Sequence, residues 1–190
     1  MSTAVIILIV VVVIIVLLVL FGIMGFNKLR KADIAAEEAM GGIDVQLTRR
    51  ADLIPNLVNT VKGYASHEAG VLEAVTAARA GLQQAAQGSD VAAKAAAEAQ
   101  MSGALGRLFA VAENYPQLQA APNFMALQTE LAETENKLSF ARQYYNDAVS
   151  RLNQLVKTLP WMFFAPMAGV KAREFYQAPA GNTQVPNVQF

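Results

Sequence analysis

An all-α protein is expected, with an N-terminal transmembrane helix continuing into an antiparallel bundle of long helices. Three observations predict it. Residues 4–26 form a run of 23 residues, apolar at every position except Gly22 and Gly25. Beyond that run, apolar residues recur at helical three- and four-residue spacing, and no stretch alternates with the period of two that marks a strand. The breaks between these stretches are short clusters of Gly, Pro, Asn and Asp, as tight connections between long helices require.

Composition agrees. Of 190 residues, 54% are hydrophobic, with 15 Lys and Arg against 15 Asp and Glu, one His and no Cys. With the apolar run set aside, about half of the remainder is hydrophobic, an ordinary figure for a globular domain. All charged residues follow Asn27. The absence of Cys excludes a disulfide scaffold, a thiolate zinc site and a cysteine nucleophile. Balanced charge without a basic block argues against nucleic acid as a partner. The expected organisation is a short translocated N-terminus (1–3), a transmembrane helix (4–26), a helical bundle (27–159), an aromatic membrane-proximal or capping segment (160–177) and a flexible tail (178–190).

The apolar run is long enough to cross a membrane, since 23 residues of helix extend about 34 Å against a hydrocarbon core of about 30 Å. A cleaved signal would begin with basic residues and end at a small-residue site. Met1-Ser2-Thr3 carries no basic side chain and Gly25-Phe26-Asn27 is a poor cleavage site, so a retained anchor is expected. Lys28, Arg30 and Lys31 follow the span and none precede it, which places the main domain in the cytoplasm by the positive-inside rule.

From Asn27 to about Leu47 the span continues as a soluble helix with Leu29, Ala36, Met40, Ile43 and Leu47 on one stripe. Asp52 is expected to cap a second helix with Pro55 in its first turn, where the missing amide costs nothing. Ile54, Val61, Val75 and Leu82 then occupy one heptad position, interrupted by Glu68, and Leu57, Tyr64, Val71, Ala78 and Ala85 the other. Gln87-Gly88-Ser89-Asp90 ends this helix and caps a third, with Val91, Ala95, Leu105, Phe109 and Ala112. Tyr115-Pro116 and Ala121-Pro122-Asn123 mark the next break. The fourth helix repeats Phe124, Leu131, Leu138, Tyr145, Leu152 and Leu159 every seven residues, with Leu127, Thr134, Ala141, Ala148 and Leu155 as the second series. The lengths conflict with a strict reversal at Asp52, because the second helix would overshoot the first. Either the bundle tilts, the first helix bends at Gly41-Gly42, or Asp52 is not a full reversal.

Pro160-Trp161-Met162-Phe163-Phe164-Ala165-Pro166-Met167 is apolar and contains the only Trp. Trp161, Phe163 and Phe164 are candidate contacts with the bilayer or a neighbouring subunit, because aromatics favour the headgroup region. The competing reading is a cap over the bundle end.

Catalytic constellations are missing, and no enzyme, cofactor or metal is expected. The single His67 lacks the partners that a metal site or acid–base pair needs. There is no Gly-rich phosphate loop and no nucleophile elbow. Glu130, Glu133 and Glu135 share a helix with Arg142, where pairing along the helix is the default. The densest polar cluster, Arg49-Arg50-Ala51-Asp52, reads either as a recognition site for acidic lipid or a partner, or as a structural ion pair with Glu130 or Glu135. Arg49, Arg50, Asp52, Glu130 and Glu135 are taken together as a structural cluster, since charges wedged between helices are usually paired.

Ile43-Asp44-Val45-Gln46-Leu47-Thr48-Arg49-Arg50-Ala51-Asp52-Leu53-Ile54-Pro55-Asn56-Leu57-Val58, continued by Val61-Lys62-Gly63-Tyr64-Ala65-Ser66-His67-Glu68, resembles the signature of the LemA family. Leu127-Gln128-Thr129-Glu130-Leu131, Thr134-Glu135-Asn136 and Ala141-Arg142-Gln143-Tyr144-Tyr145-Asn146 fit the same pattern. The chain departs from it after Phe164, with Pro166-Met167-Ala168-Gly169-Val170 where relatives often carry Phe-Gly-Phe. The resemblance implies a bacterial single-pass membrane protein with a bundle of long helices and brings no catalytic residues. Association of some relatives with magnetosome membranes implies a membrane-organising role.

Two function classes follow. One is a homo-oligomeric, coiled-coil-like scaffold that organises or shapes the bacterial inner membrane. The other is an adaptor or regulator of a membrane-protein partner, such as a protease or a stress-response protein.

Overall fold

In a computed structural model, residues 2–177 are described, and all regular structure among them is helical. The elements are α1 (Thr3–Tyr64), α2 (Ala69–Gln87), α3 (Val91–Ala112), α4 (Pro116–Gln119), α5 (Pro122–Lys157), a 3-10 turn (Trp161–Phe163) and α6 (Ala165–Ala168). Met1, and residues 178–190 expected as a flexible tail, lie outside the described residues. The described residues divide into two compact units, one built from residues up to 39 and 146–174, the other from 40–145 and the residues after 174.

The second unit is a helical bundle whose core follows the heptads. In α1, Ile43, Leu47, Ile54, Leu57 and Val61 are buried at alternating spacings of three and four once Arg50 is counted in their series. In α2 the buried positions are Leu72, Val75 and Leu82, and in α5 they include Phe124, Leu131, Thr134, Leu138 and Tyr145. Asp90 caps α3, its Oδ1 accepting from the amides of Ala92 at 2.9 Å and Ala93 at 3.1 Å. α2 and α3 thus form a hairpin closed by three residues.

The helix start expected at Asp52 does not exist. α1 runs through it, Pro55 lies inside the helix, and Asp52 is exposed. A Pro within a helix removes the amide that would bond the carbonyl four residues earlier, here that of Ala51. Arg79 of α2 takes the vacated place, its Nε donating to the Ala51 carbonyl at 2.9 Å. The real break is Ala65–Glu68, just where Glu68 interrupts the heptad series. Gly63 and Gly70 flank it, and each Gly costs a helix about 1 kcal/mol relative to Ala.

In the first unit the side chains from Val5 to Leu20 are all exposed, between 42% and 64%. This segment is long and apolar enough to cross a membrane by length and composition. Below it, Leu29, Ala36 and Ala39 of α1, Val149 and Leu152 of α5, and Ala165, Ala168 and Val170 are buried. Leu159, expected as the last heptad position, is a correction. α5 ends at Lys157 and Leu159 is 67% exposed, because the following Pro160 disfavours helical backbone at residue 159. Gly169, at φ +66°, ends α6 in the left-handed conformation, and the Val170 amide donates back to the Ala165 carbonyl at 3.0 Å, a Schellman-type stop. Residues 170–177 then carry no regular secondary structure. The side chain of Asn153 clamps the backbone of Arg173 with two bonds of 2.9 Å, and Arg173 grips Asp33 through Nε at 2.9 Å and Nη2 at 2.8 Å.

Candidate functional site

Each unit contains one arrangement that the sequence pattern alone does not spell out. In the bundle unit it is a buried polar layer. Lys94 and Glu98 stand one turn apart on α3, and both are fully buried. They belong to the helix's own core series, since 94, 98, 101, 105, 108 and 112 follow heptad spacing and the other four are Met, Leu, Leu and Ala. Lys94 Nζ pairs with Asp44 of α1 and also donates to the Ala86 carbonyl at 3.2 Å. Glu98 faces Arg142 of α5, whose Nη1 lies 3.0 Å from Oε1, and it accepts from the Tyr176 hydroxyl at 2.7 Å. Arg142 Nη2 donates to Glu135 Oε1 at 2.8 Å. Arg50 Nη1 lies 2.9 Å from Glu135 Oε2.

Asp44, Glu98 and Glu135 therefore balance Lys94, Arg142 and Arg50 charge for charge. Placing ions inside a bundle costs several kcal/mol each, and attraction repays this only when every ion keeps its partner. Alignment is uneven. Arg50 Nη1, Glu98 Oε1 and Glu135 Oε2 sit close to opposite charge without a well-directed hydrogen bond, and Arg50 Nε is buried without a hydrogen-bond partner among the described residues. Burial pushes the Glu98 carboxyl above its usual range, against the opposing pull of the Tyr176 hydrogen bond and Arg142. Burial, then the hydrogen bond to Glu98, raises the Tyr176 phenol well above its ordinary value.

Of the sequence-derived cluster, Arg50 and Glu135 are brought together. Arg49, Asp52 and Glu130 form no ion pair among the described residues. Glu130 instead lines a shallow polar groove of about 390 Å³ with Asn56, Asn59, Thr60 and Asn123. Glu133 pairs with Lys137 along α5 at 4.0 Å. His67 is exposed in the turn between α1 and α2. Lys94 and Glu98, four apart on an Ala-rich helix, have the spacing of a solvated pair, and nothing local marks Asp44 as a partner of Lys94. The signal that finds them is the heptad extended upstream from Met101. Among the described residues no three His, Cys, Asp or Glu approach closely enough to hold a metal ion.

In the other unit the aromatic segment folds onto the end of the apolar run. The Phe164 ring meets Phe21 edge-on at 5.5 Å and 71°, and it seats over Gly25, where a Cβ would fall 2.5 Å from the ring. Trp161 lies 5.9 Å from Phe21, and Lys28 Nζ stands 4.1 Å from the centre of the indole, a cation–π contact. Trp161 and Phe164 are half-buried by these contacts, whereas Phe163 is 71% exposed. Gly25, one of the two glycines that interrupt the apolar run, thus admits the ring that docks there.

The sequence model of the LemA family matches residues 39–190. Two magnetosome proteins of Paramagnetospirillum magneticum, MamQ 1 and MamQ 2, are each 39% identical over 83 residues, covering 43% of this chain and 30% of theirs. The magnetosome protein MamQ of Magnetospirillum gryphiswaldense is 26% identical over 174 residues, covering 79% of this chain and 64% of its own. The chain therefore spans between about a third and two thirds of the length of these relatives.

Proposed function

The chain belongs to the LemA family, and from that premise we propose that it is a single-pass, membrane-anchored scaffold whose helical domain self-assembles and organises or shapes the bacterial membrane. The observation that carries this reading is the exposed segment Val5–Leu20, continuous within one helix with a well-packed, charge-balanced bundle. Such a surface is stable in lipid and a liability in water. Its relatives include magnetosome proteins, and a magnetosome setting is compatible with work at a membrane. The buried ions serve as a lock that fixes helix register, not as reacting groups, so the activity is structural.

Lys28, Arg30 and Lys31 place the bundle on the cytoplasmic side in this proposal. The test is extraction and labelling of the full chain in cells. Retention in the membrane fraction at alkaline pH, with a thiol at Ala96→Cys protected from an impermeant maleimide until the cells are opened, supports it. Release at alkaline pH would refute the anchor, and labelling of intact cells would refute the orientation.

A second reading, an adaptor for another membrane protein, is favoured by one feature. The end of α1 and the start of α2 enclose an open groove of about 560 Å³ lined by Val58, Lys62, Leu72, Thr76 and Ala80. A partner helix would fit such a groove. The readings part on assembly. Association with further copies supports the scaffold, and a fixed ratio to a different protein supports the adaptor.

A further inference from the structure

Thr158 to Val170 contains no charged residue and is bracketed by Lys157 and Lys171. The segment has two unlike faces. One, carrying Trp161 and Phe164, is fastened to Phe21, Gly25 and Lys28 by the ring, notch and cation–π contacts. The other presents Leu159 at 67% exposure, Met162 at 42%, Phe163 at 71% and Met167 at 63%. These are four large, exposed apolar side chains within nine residues, a concentration of apolar surface that marks contact with something other than water.

The level at which this patch is held decides what it meets. Phe21 lies within the apolar run, and Lys28 is the first charged residue after it. Seven residues of helix separate them, about 10 Å. A segment pinned to both straddles the height at which hydrocarbon gives way to headgroups. The indole between an apolar ring and an ammonium group is the chemistry that this boundary favours. Lys157 and Lys171, both exposed, stand at the two ends of the segment, suited to reach lipid phosphates while their stems cover apolar surface.

We propose that Leu159, Met162, Phe163 and Met167 form a wedge that inserts into the headgroup–acyl boundary of the one leaflet where the apolar helix emerges. The inference rests on the reading of Val5–Leu20 as a membrane span and deepens it, since it adds a second lipid contact of a different kind. A helix alone can rotate and tilt. A helix with a wedge clamped to its end has a fixed rotational setting, and material added to only one leaflet favours bending of the bilayer. The lipid surface is continuous with the apolar helix itself, which selects lipid over a second copy of the chain as the occupant.

The chain contains no Cys, so single thiols can be placed and spin-labelled in the full chain in lipid vesicles. Phe163→Cys and Met167→Cys report the wedge. Val12→Cys reports the span, and Ala96→Cys, exposed on α3, reports water. Oxygen concentrates in lipid and a nickel chelate stays in water. The proposal expects labels at 163 and 167 to collide preferentially with oxygen, as at 12, while 96 collides with the chelate. Labels at 163 and 167 that meet the chelate, with 12 still meeting oxygen, would overturn the wedge and leave the anchor standing. Immobile labels shielded from both reagents would also overturn it, by showing a protein occupant. A chelate-accessible label at 12 would remove the anchor and the wedge together.

Discussion

Arg79 donates through Nε to the carbonyl of Ala51 at 2.9 Å, and that carbonyl is the one Pro55 leaves without its helical amide. The two features depend on each other. A buried carbonyl deprived of any donor costs about 1–3 kcal/mol, and the Arg79 side chain reaches across from the next helix to supply one.

This coupling is measurable. Arg79→Met should lower stability by about 1–2 kcal/mol in the natural chain, but clearly less in a Pro55→Ala background, where an amide at residue 55 can bond Ala51. Chemical denaturation of the four proteins of the cycle provides the check. Equal losses in both backgrounds would mean that Arg79 does not serve the vacated carbonyl.

Gly25 should tolerate no larger residue. Gly25→Leu drives its side chain into the Phe164 ring, and overpacking of this kind costs about 1–3 kcal/mol. The local reporter is Trp161, the only Trp. Its fluorescence should show greater mobility in Gly25→Leu, and pairing that substitution with Phe164→Ala should restore much of the loss. An unchanged Trp signal would show that the aromatic segment is not seated on Gly25.

Much of the fold is legible in the sequence, because packing repeats and repeats leave a period. The apolar span, the Asp90 cap, the Pro116 and Pro122 breaks and the α5 heptad from Phe124 to Leu152 follow from local chemistry. The continuation of α1 past Asp52 does not. Asp-x-x-Pro reads as a helix start, and only a donor 28 residues away, Arg79, makes it a helix interior. The polar layer was legible in part. Arg50 is conspicuous between Leu47 and Ile54, while Lys94 and Glu98 hide among alanines that offer no contrast. Docking of Phe164 on Gly25 joins residues 139 positions apart, and no local pattern encodes it.

The Arg50–Glu135 pair predicts a charge-exchange result. Arg50→Ala removes a buried side chain and one counter-charge. Because Glu135 is 42% exposed and retains Arg142, the expected loss is moderate, about 1–3 kcal/mol. Arg50→Glu should cost more, and Glu135→Arg added to it should recover part of that loss. A melting temperature unchanged in Arg50→Ala would contradict the pairing.

Glu98 predicts a pH dependence. A carboxyl whose folded value is raised stabilises the fold in its protonated form. That contribution is complete below the unfolded value of 4.5 and is lost as the pH rises through the higher folded value. Glu98→Gln cannot ionise but still accepts from Tyr176. The stability of the natural chain relative to Glu98→Gln should therefore decline as the pH climbs from about 4 to about 7. A difference that grows with pH over this range would reverse the assignment, showing that Arg142 and Tyr176 outweigh burial.

The scaffold proposal is tested most directly by the mass of the full chain, purified from membranes in mild detergent. A uniform homo-oligomer, with a mass that is a whole multiple of 20.4 kDa after subtraction of bound detergent and lipid, is the expected result. A single copy of the chain, or one that co-purifies in fixed ratio with a different membrane protein, would contradict self-assembly and leave the adaptor reading in its place.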